Sequence, residues 1–361
     1  MKLGLIARAD NSGLGIQTWE FYRHMKPDRT MVVDISKFNG NEQHLERYPT
    51  GVFIYGFPSN KQIDDFLIDL DVVFIAEAAY NPYLYDRARE LGIKTAVQYN
   101  YEFMDWLINP NYPKPDMLIA PSKWHYSDVD DWCRSNGVRH VYLHCPVNRE
   151  ALPFREIHQA RTFLHNAGKS AAQDRNGTNT VIDASSYLET NAQILIHFQG
   201  QQGLPHQMTH SIEDYAERLR RYGDEDKVTI ERVELENYAD CYSEGDVMIL
   251  PRRYGGNCLP LNEALSIGMP VIMPAISPNT DFLPKNWLIE AERIGSFMPR
   301  TLVDIYDVKP KLLAKRIDAF YNMDEAGMLT ENVRASNLAE RISWENMRYQ
   351  YIKVFEDLCT R

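Results

Sequence analysis

Short apolar runs of strand length recur along this chain with helical stretches between them, and the series is run through twice. The first series predicts strands at 2–7 (KLGLIA), 31–35 (MVVDI), 52–55, 71–76, 94–98, 117–120 and 140–143, with helices over Gln17–Met25, Asn60–Ile68 and Pro82–Leu91. The second starts near residue 161. RTFLHNA, AQILIHF, VTIERV, DVMIL and PVIMP read as strands, with TNTVIDASSYL, IEDYAERLRRY and YADCYSEG as the helices among them. Runs that are apolar throughout, rather than at alternate positions, fit strands of a parallel sheet covered by helices on both faces. The expectation is an α/β chain of two Rossmann-like, doubly wound domains. The join is expected at CPVNREALPFREIHQ, where two prolines and a charge change interrupt the alternation. That gives 1–155 as one domain and 156–340 as the other. After residue 310 the pattern turns wholly helical. In the closing stretch, 341–361, Trp344, Met347, Tyr351, Phe355 and Leu358 recur at helical spacing, a stripe expected to pack on a domain.

A chain of 361 residues suits two domains of ordinary size, and 44% apolar with 25% charged residues is the balance of a folded protein. The formal charge of −11 argues against a broad nucleic-acid or anionic-membrane surface. Five cysteines at 133, 145, 241, 258 and 359 form no CxxC pair, which suggests reduced thiols, a cytoplasmic location and no zinc site. MKLGLIARAD is apolar too briefly for a signal peptide, and no run approaches the ~18 residues of a transmembrane segment.

Three loops carry candidate chemistry. In RADNSGLGIQTWEF, Gly13 and Gly15 stand between a strand and an amphipathic helix, where backbone approaches an anion closely. A simple turn capped by Asn11 or Ser12 reads equally well there. In FLHNAGKSAAQDRNGTNTVIDA, Lys169 and Arg175 flank a strand-to-helix loop, a clamp for a diphosphate or two solvated loop residues. In RRYGGNCLPLNEALSIGMPVIMP, the main chain at Gly255, Gly256, Asn257, Cys258 and Leu259 is placed to donate to a polar ligand. Glu263, on a helix expected to start just after Pro260, offers two oxygens to a pair of hydroxyls such as a ribose carries. The alternative for Glu263 is a carboxylate that complements the helix dipole.

PRRYGGNCLPLNEALSIGMPVIMP resembles the donor-site signature of GT-B glycosyltransferases of the retaining, glycogen-synthase-like group. Pro251, Gly256, Leu259, Pro260, Glu263, Ala264, Gly268, Pro270 and Val271 match its Pro-Ser-x-x-Glu-Gly-Phe-Gly-Leu-Pro, Glu-Ala and Gly-x-Pro-Val pattern. The family's first glutamate falls on Gly255, its aromatic on Asn257 and its next glycine on Cys258. The resemblance implies two domains facing a central cleft, ribose binding by Glu263, and no side-chain sugar contact from position 255. Glycine there is expected to leave a space, with main-chain groups and Asn257 holding the sugar. The 168–184 stretch resembles the family's phosphate segment, with Lys169 in the arginine place, Asn176 in the lysine place and Arg175 beside it. The first loop resembles the one that faces the donor diphosphate and acceptor, and SWENMRYQYIKVFEDL the terminal helix that crosses back to the first domain.

The activity so implied is transfer of a hexosyl or pentosyl group from a nucleotide-diphosphate sugar, with retention and without an obligatory metal or other cofactor. An inverting course needs a base, and Glu77 and Glu102 follow strands at their carboxyl ends, where open α/β sheets bind ligands. Either is a candidate base or acceptor-positioning group. His165 and His197 lie in apolar strands and are expected to be packed; no Cys–His pairing is apparent. The acceptor is expected to be a saccharide, lipid head group or protein side chain rather than a long nucleic acid. The alternative from a different class is a GT-B-shaped nucleotide-sugar epimerase or a catalytically lapsed sugar-binding protein, which the missing first glutamate favours.

Overall fold

The computed structural model describes residues 1–104, 106, 109–168, 172–198, 212–232 and 238–360. The chain divides into two compact units. One comprises Met1–Pro146, Met298–Thr301 and Trp344–Arg361, the other Val147–Phe297 and Leu302–Ser343. The division falls after Pro146, at the start of the CPVNREALPFREIHQ stretch in which the join was expected and ahead of the 155/156 boundary.

The first unit carries a seven-stranded parallel sheet in the order β3-β2-β1-β4-β5-β6-β7. Its strands are β1 Leu3–Ala7, β2 Arg29–Asp34, β3 Val52–Tyr55, β4 Val72–Ala76, β5 Lys94–Gln98, β6 Met117–Ala120 and β7 Arg139–Tyr142. Helices α1 Gly13–Met25, α2 Asn60–Leu67, α3 Tyr83–Glu90 and α4 Tyr126–Asn136 connect them. Side chains on successive strand residues point to opposite faces, so β4 sends Val73 and Ile75 into one core and Val72, Phe74 and Ala76 into another. Both faces are therefore apolar, which is why the strands read as unbroken runs.

The second unit repeats the topology in a six-stranded sheet, β10-β9-β8-β11-β12-β13. Here β8 is Thr162–Gly168, β9 Gln193–Phe198, β10 Val228–Arg232, β11 Val247–Ile249, β12 Val271–Pro274 and β13 Leu288–Ile289. Helices α5 Thr178–Ser185, α6 Ile212–Tyr222 and α7 Leu259–Ser266 lie among them, followed by α8 Pro310–Tyr321 and α9 Glu325–Arg341. YADCYSEG, expected as a helix, forms only the 3-10 turn Tyr238–Tyr242. The antiparallel hairpin of β14 Ala291–Phe297 and β15 Val303–Val308 was not expected.

The last helix, α10 Trp344–Cys359, belongs to the first unit. Its stripe of Trp344, Met347, Tyr351, Phe355 and Leu358 is buried against α1 and the sheet. Phe21 stacks on Phe74 with centroids 4.0 Å apart and meets Trp344, Tyr351 and Phe355 edge-on or tilted. Each such side chain contributes ~1.5–3 kcal/mol relative to exposure. Helix α10 is thus a structural layer of the first unit. No helix among the described residues is long and apolar enough to cross a membrane.

Candidate functional site

In an open parallel sheet the strand order reverses once, and the loops leaving the carboxyl ends of the two strands at that point diverge to leave a crevice. In the second sheet those strands are β8 and β11. The loop after β8 carries Arg175, and the loop after β11 carries Gly255, Gly256, Asn257 and Cys258. Gly177 clamps the two together. Its φ is +71°, and a Cβ there would stand 2.3 Å from the Pro251 carbonyl oxygen, so only glycine permits the approach. The Arg253 N–H donates to the Arg175 carbonyl at 2.8 Å, closing the same seam.

Gly255 has φ +114°. Sequence reasoning expects an empty space where a longer side chain would sit, and the structure corrects this. A Cβ at 255 would lie 2.5 Å from Nη2 of Arg175 and 2.5 Å from Nη2 of Arg252. Two guanidiniums stand at the place that the family pattern gives to a carboxylate. Arg175 also stands over the Tyr254 ring, 5.1 Å from its centroid. Arg252 was missed in the sequence. The only signal was a large cation at the family's small serine position, three residues before a glycine that had lost its acid.

The anion site expected at the start of α5 is also altered. The Asp174 carboxylate accepts from the Thr178 and Asn179 N–H groups at 2.9 and 3.1 Å, and so occupies the helix amino end itself. Burial pushes the Asp174 carboxyl up, against those hydrogen bonds. The positive charge of this seam therefore comes from guanidiniums. Asn176, in the lysine place of the pattern, donates to the Ala167 carbonyl at 2.9 Å. Lys169 lies outside the described residues.

Helix α7 begins at Leu259 with Pro260 inside its first turn, ahead of the expected start just after Pro260. A proline fits there because the first N–H groups of a helix have no intrahelical acceptor. Glu263 consequently lies beyond the first turn, too far along to serve as a complement to the dipole. It is half-buried, and the Tyr242 hydroxyl donates to its Oε2. Burial, and then Glu263 itself, holds the Tyr242 hydroxyl far above its ordinary range, so it remains a donor. Tyr242 is a second residue absent from the sequence reading; its hydroxyl orients Glu263.

His165 is fully buried. Its Nδ1–H donates to the Ile249 carbonyl at 2.8 Å, so Nε2 accepts from the Thr178 hydroxyl at 2.9 Å. Burial lowers it to about 4, and it ties β8 to β11 and α5 as a neutral core residue. His197 is buried too, with Nδ1 3.4 Å from the Cys241 sulfur, a pairing the sequence did not suggest. Burial, and then Glu263, pushes the Cys241 thiol up to about 12, the opposite of what a nucleophile needs. No group of three metal-ligating side chains occurs among the described residues.

In the first unit the corresponding crevice lies between β1 and β4. Ser12 is the amino-terminal cap of α1 and accepts from the Gly15 N–H at 3.2 Å. A Cβ on Gly15 would meet the Asp10 carbonyl oxygen at 2.0 Å, so close packing requires this glycine; Gly13 is exposed at the first position of the helix. Asp10 is fully buried and held by Arg8, by the Ser12 hydroxyl at 2.5 Å and by Asn41 at 2.9 Å. Burial alone would raise its carboxyl, but Arg8 and these donors outweigh burial and keep it below the ordinary range. A carboxylate thus already stands where sequence reasoning put a phosphate-facing loop.

Glu77 follows β4 with φ +67° and accepts from Asn100 Nδ2 at 2.5 Å. It lines a cavity of about 70 Å³ with Tyr85, Phe103, Trp106, Tyr112 and Arg300. Glu102 follows β5 but is 3% exposed, and its carbonyl accepts from the Arg300 and Thr301 N–H groups at 3.2 and 3.3 Å. Of the two candidate carboxylates, Glu77 lines this cavity and Glu102 does not.

Two successive α/β sheets with the same strand order and a closing helix on the first define the GT-B fold. Solved structures carry the comparison. HepE of Anabaena, determined in complex with UDP and glucose, is similar over 99% of this chain and 100% of its own, with TM-score 0.71 at 11% identity. Sucrose-phosphate synthase of Thermosynechococcus elongatus is similar over 99% of both chains, with TM-score 0.67 at 14% identity. A glycosyltransferase of Rickettsia africae covers 99% of this chain and 98% of its own, with TM-score 0.70 at 11% identity. No family model matches the sequence, and no curated protein matches it either.

Proposed function

We propose that the chain is a glycosyltransferase that moves a hexosyl or pentosyl group from a nucleotide-diphosphate sugar to an acceptor hydroxyl, with retention of configuration. The observation that carries this reading is the crevice of the second sheet. It gathers the Arg175 and Arg252 guanidiniums at the Gly255 main chain, and α7 beside that loop presents Glu263. A diphosphate needs the first and a ribose the second. In the reaction the bond from the anomeric carbon to the diphosphate oxygen breaks, and negative charge develops on the leaving group. Fixed guanidiniums aimed at that charge lower the barrier without a metal. The GT-B fold shared with HepE, which was determined with UDP-glucose, supports the same assignment. In the first unit, Glu77 at its aromatic-walled cavity is assigned to positioning the acceptor, and Glu102 to the scaffold. The charge of −11 favours a saccharide, lipid head group or protein side chain over a long nucleic acid as acceptor. Incubation with a panel of nucleotide sugars tests the reading. Slow hydrolysis or transfer with one donor is expected; binding and turnover of none would refute it.

A further inference from the structure

Arg252 is 8% exposed. Its Nε donates to the Tyr254 carbonyl at 3.1 Å and its Nη1 to the Asn257 carbonyl at 2.7 Å, which fixes the plane of the fork. Nη2 is turned to Gly255 beside Nη2 of Arg175, both 2.5 Å from the same point. Among the described residues no carboxylate forms an ion pair with Arg252; the nearby Asp307 pairs with Arg253 instead, at 3.8 Å. The two carbonyl oxygens that accept from Arg252 are neutral, so among the described residues its charge has no carboxylate partner. A buried cation is costly until an anion joins it. The loop has no side chain at 255, where a Cβ would meet both guanidiniums at 2.5 Å.

We infer that Arg252 is the principal anion-binding residue of the site, and that with Arg175 it selects a diphosphate over a monophosphate. The inference deepens the nucleotide-sugar reading and rests on it for the identity of the ligand. A planar fork held in position matches phosphate oxygens, and two adjacent forks match a group that carries two phosphates. Arg175, stacked on Tyr254, completes the pair.

Calorimetric titration tests this with UDP, GDP and ADP, then with the monophosphate and nucleoside of whichever binds, and with inorganic pyrophosphate. Wild type should prefer the diphosphate to the monophosphate by at least about ten-fold, the effect of one charge-assisted contact. Arg252→Gln should weaken diphosphate binding by a similar factor, leave nucleoside binding unchanged and remove the preference. Arg175→Gln should do the same to a smaller extent. Unchanged nucleoside affinity also shows that the loop of Arg252→Gln has kept its shape. An equal loss for nucleoside and diphosphate would overturn the inference, since Arg252 would then act only through loop structure. So would a variant that binds the diphosphate like wild type, including one that loses only donors whose sugar bears a carboxylate. Arg252-dependent binding of pyrophosphate with no nucleotide bound would sink the nucleotide-sugar reading and leave the fork standing.

Discussion

At the scale of single residues, Gly255 shows how one substitution in a pattern is compensated by its neighbours. A family resemblance makes the missing glutamate conspicuous, yet the sequence does not reveal that two arginines, one from the loop after β8 and one three residues upstream, converge on its place. The reason is physical: the convergence is set by the tertiary seam at Gly177 and Pro251, across a sequence separation that no local pattern encodes. A side chain at φ +114° is strained by roughly 1–3 kcal/mol, and Gly255→Ala must also push two guanidiniums aside. We expect Gly255→Ala to lower the melting temperature by about 2–10 °C in a thermal scan. A melting temperature equal to wild type would mean that the loop readily takes another backbone conformation. The pairing of Tyr242 with Glu263 was equally illegible, because Tyr242 leaves the 3-10 turn before β11 while Glu263 belongs to α7 after it.

At the scale of elements, the strands of both sheets were readable because burial on both faces makes them unbroken apolar runs between turn residues. The hairpin β14–β15 was not, since β14 is mostly exposed or half-buried and a register shift between Arg293 and Gly295 breaks its period. The contact of β8 with β11 and α5 through His165 makes a prediction about pH. The folded-state value of about 4 lies below the ordinary 6.5, so the unfolded chain takes up the proton first. Stability from this group is intact above pH 6.5 and is lost as the pH falls toward 4, by on the order of 3 kcal/mol. Urea unfolding between pH 7 and 4 should therefore show a steeper loss for wild type than for His165→Gln. Parallel curves would show that His165 does not titrate on unfolding.

At the scale of the whole molecule, the repeated alternation of strands and helices was legible, though not the strand order it folds into, and so the candidate loops could be placed at sheet carboxyl ends from the sequence. That Glu77 lines the aromatic-walled cavity was not legible, because Glu77 and Glu102 both follow strands in the sequence and differ in backbone conformation and in what packs over them. If guanidiniums supply the charge at the diphosphate, turnover should survive EDTA unchanged; abolition by EDTA with recovery on adding magnesium or manganese would contradict that role. The central claim is that α7 and the Gly255 loop hold a nucleotide donor, with Glu263 on its ribose. The direct measurement is the affinity of wild type and Glu263→Ala for the nucleoside diphosphate that binds, and for its 2′,3′-dideoxy analogue. Wild type should bind the ribonucleotide at least about ten-fold more tightly than the analogue, as expected for hydrogen bonds to a charged group worth ~1.5–3 kcal/mol, and Glu263→Ala should bind both alike. If Glu263→Ala keeps the wild-type preference for the ribonucleotide, Glu263 does not hold the ribose, and this account of the site is wrong.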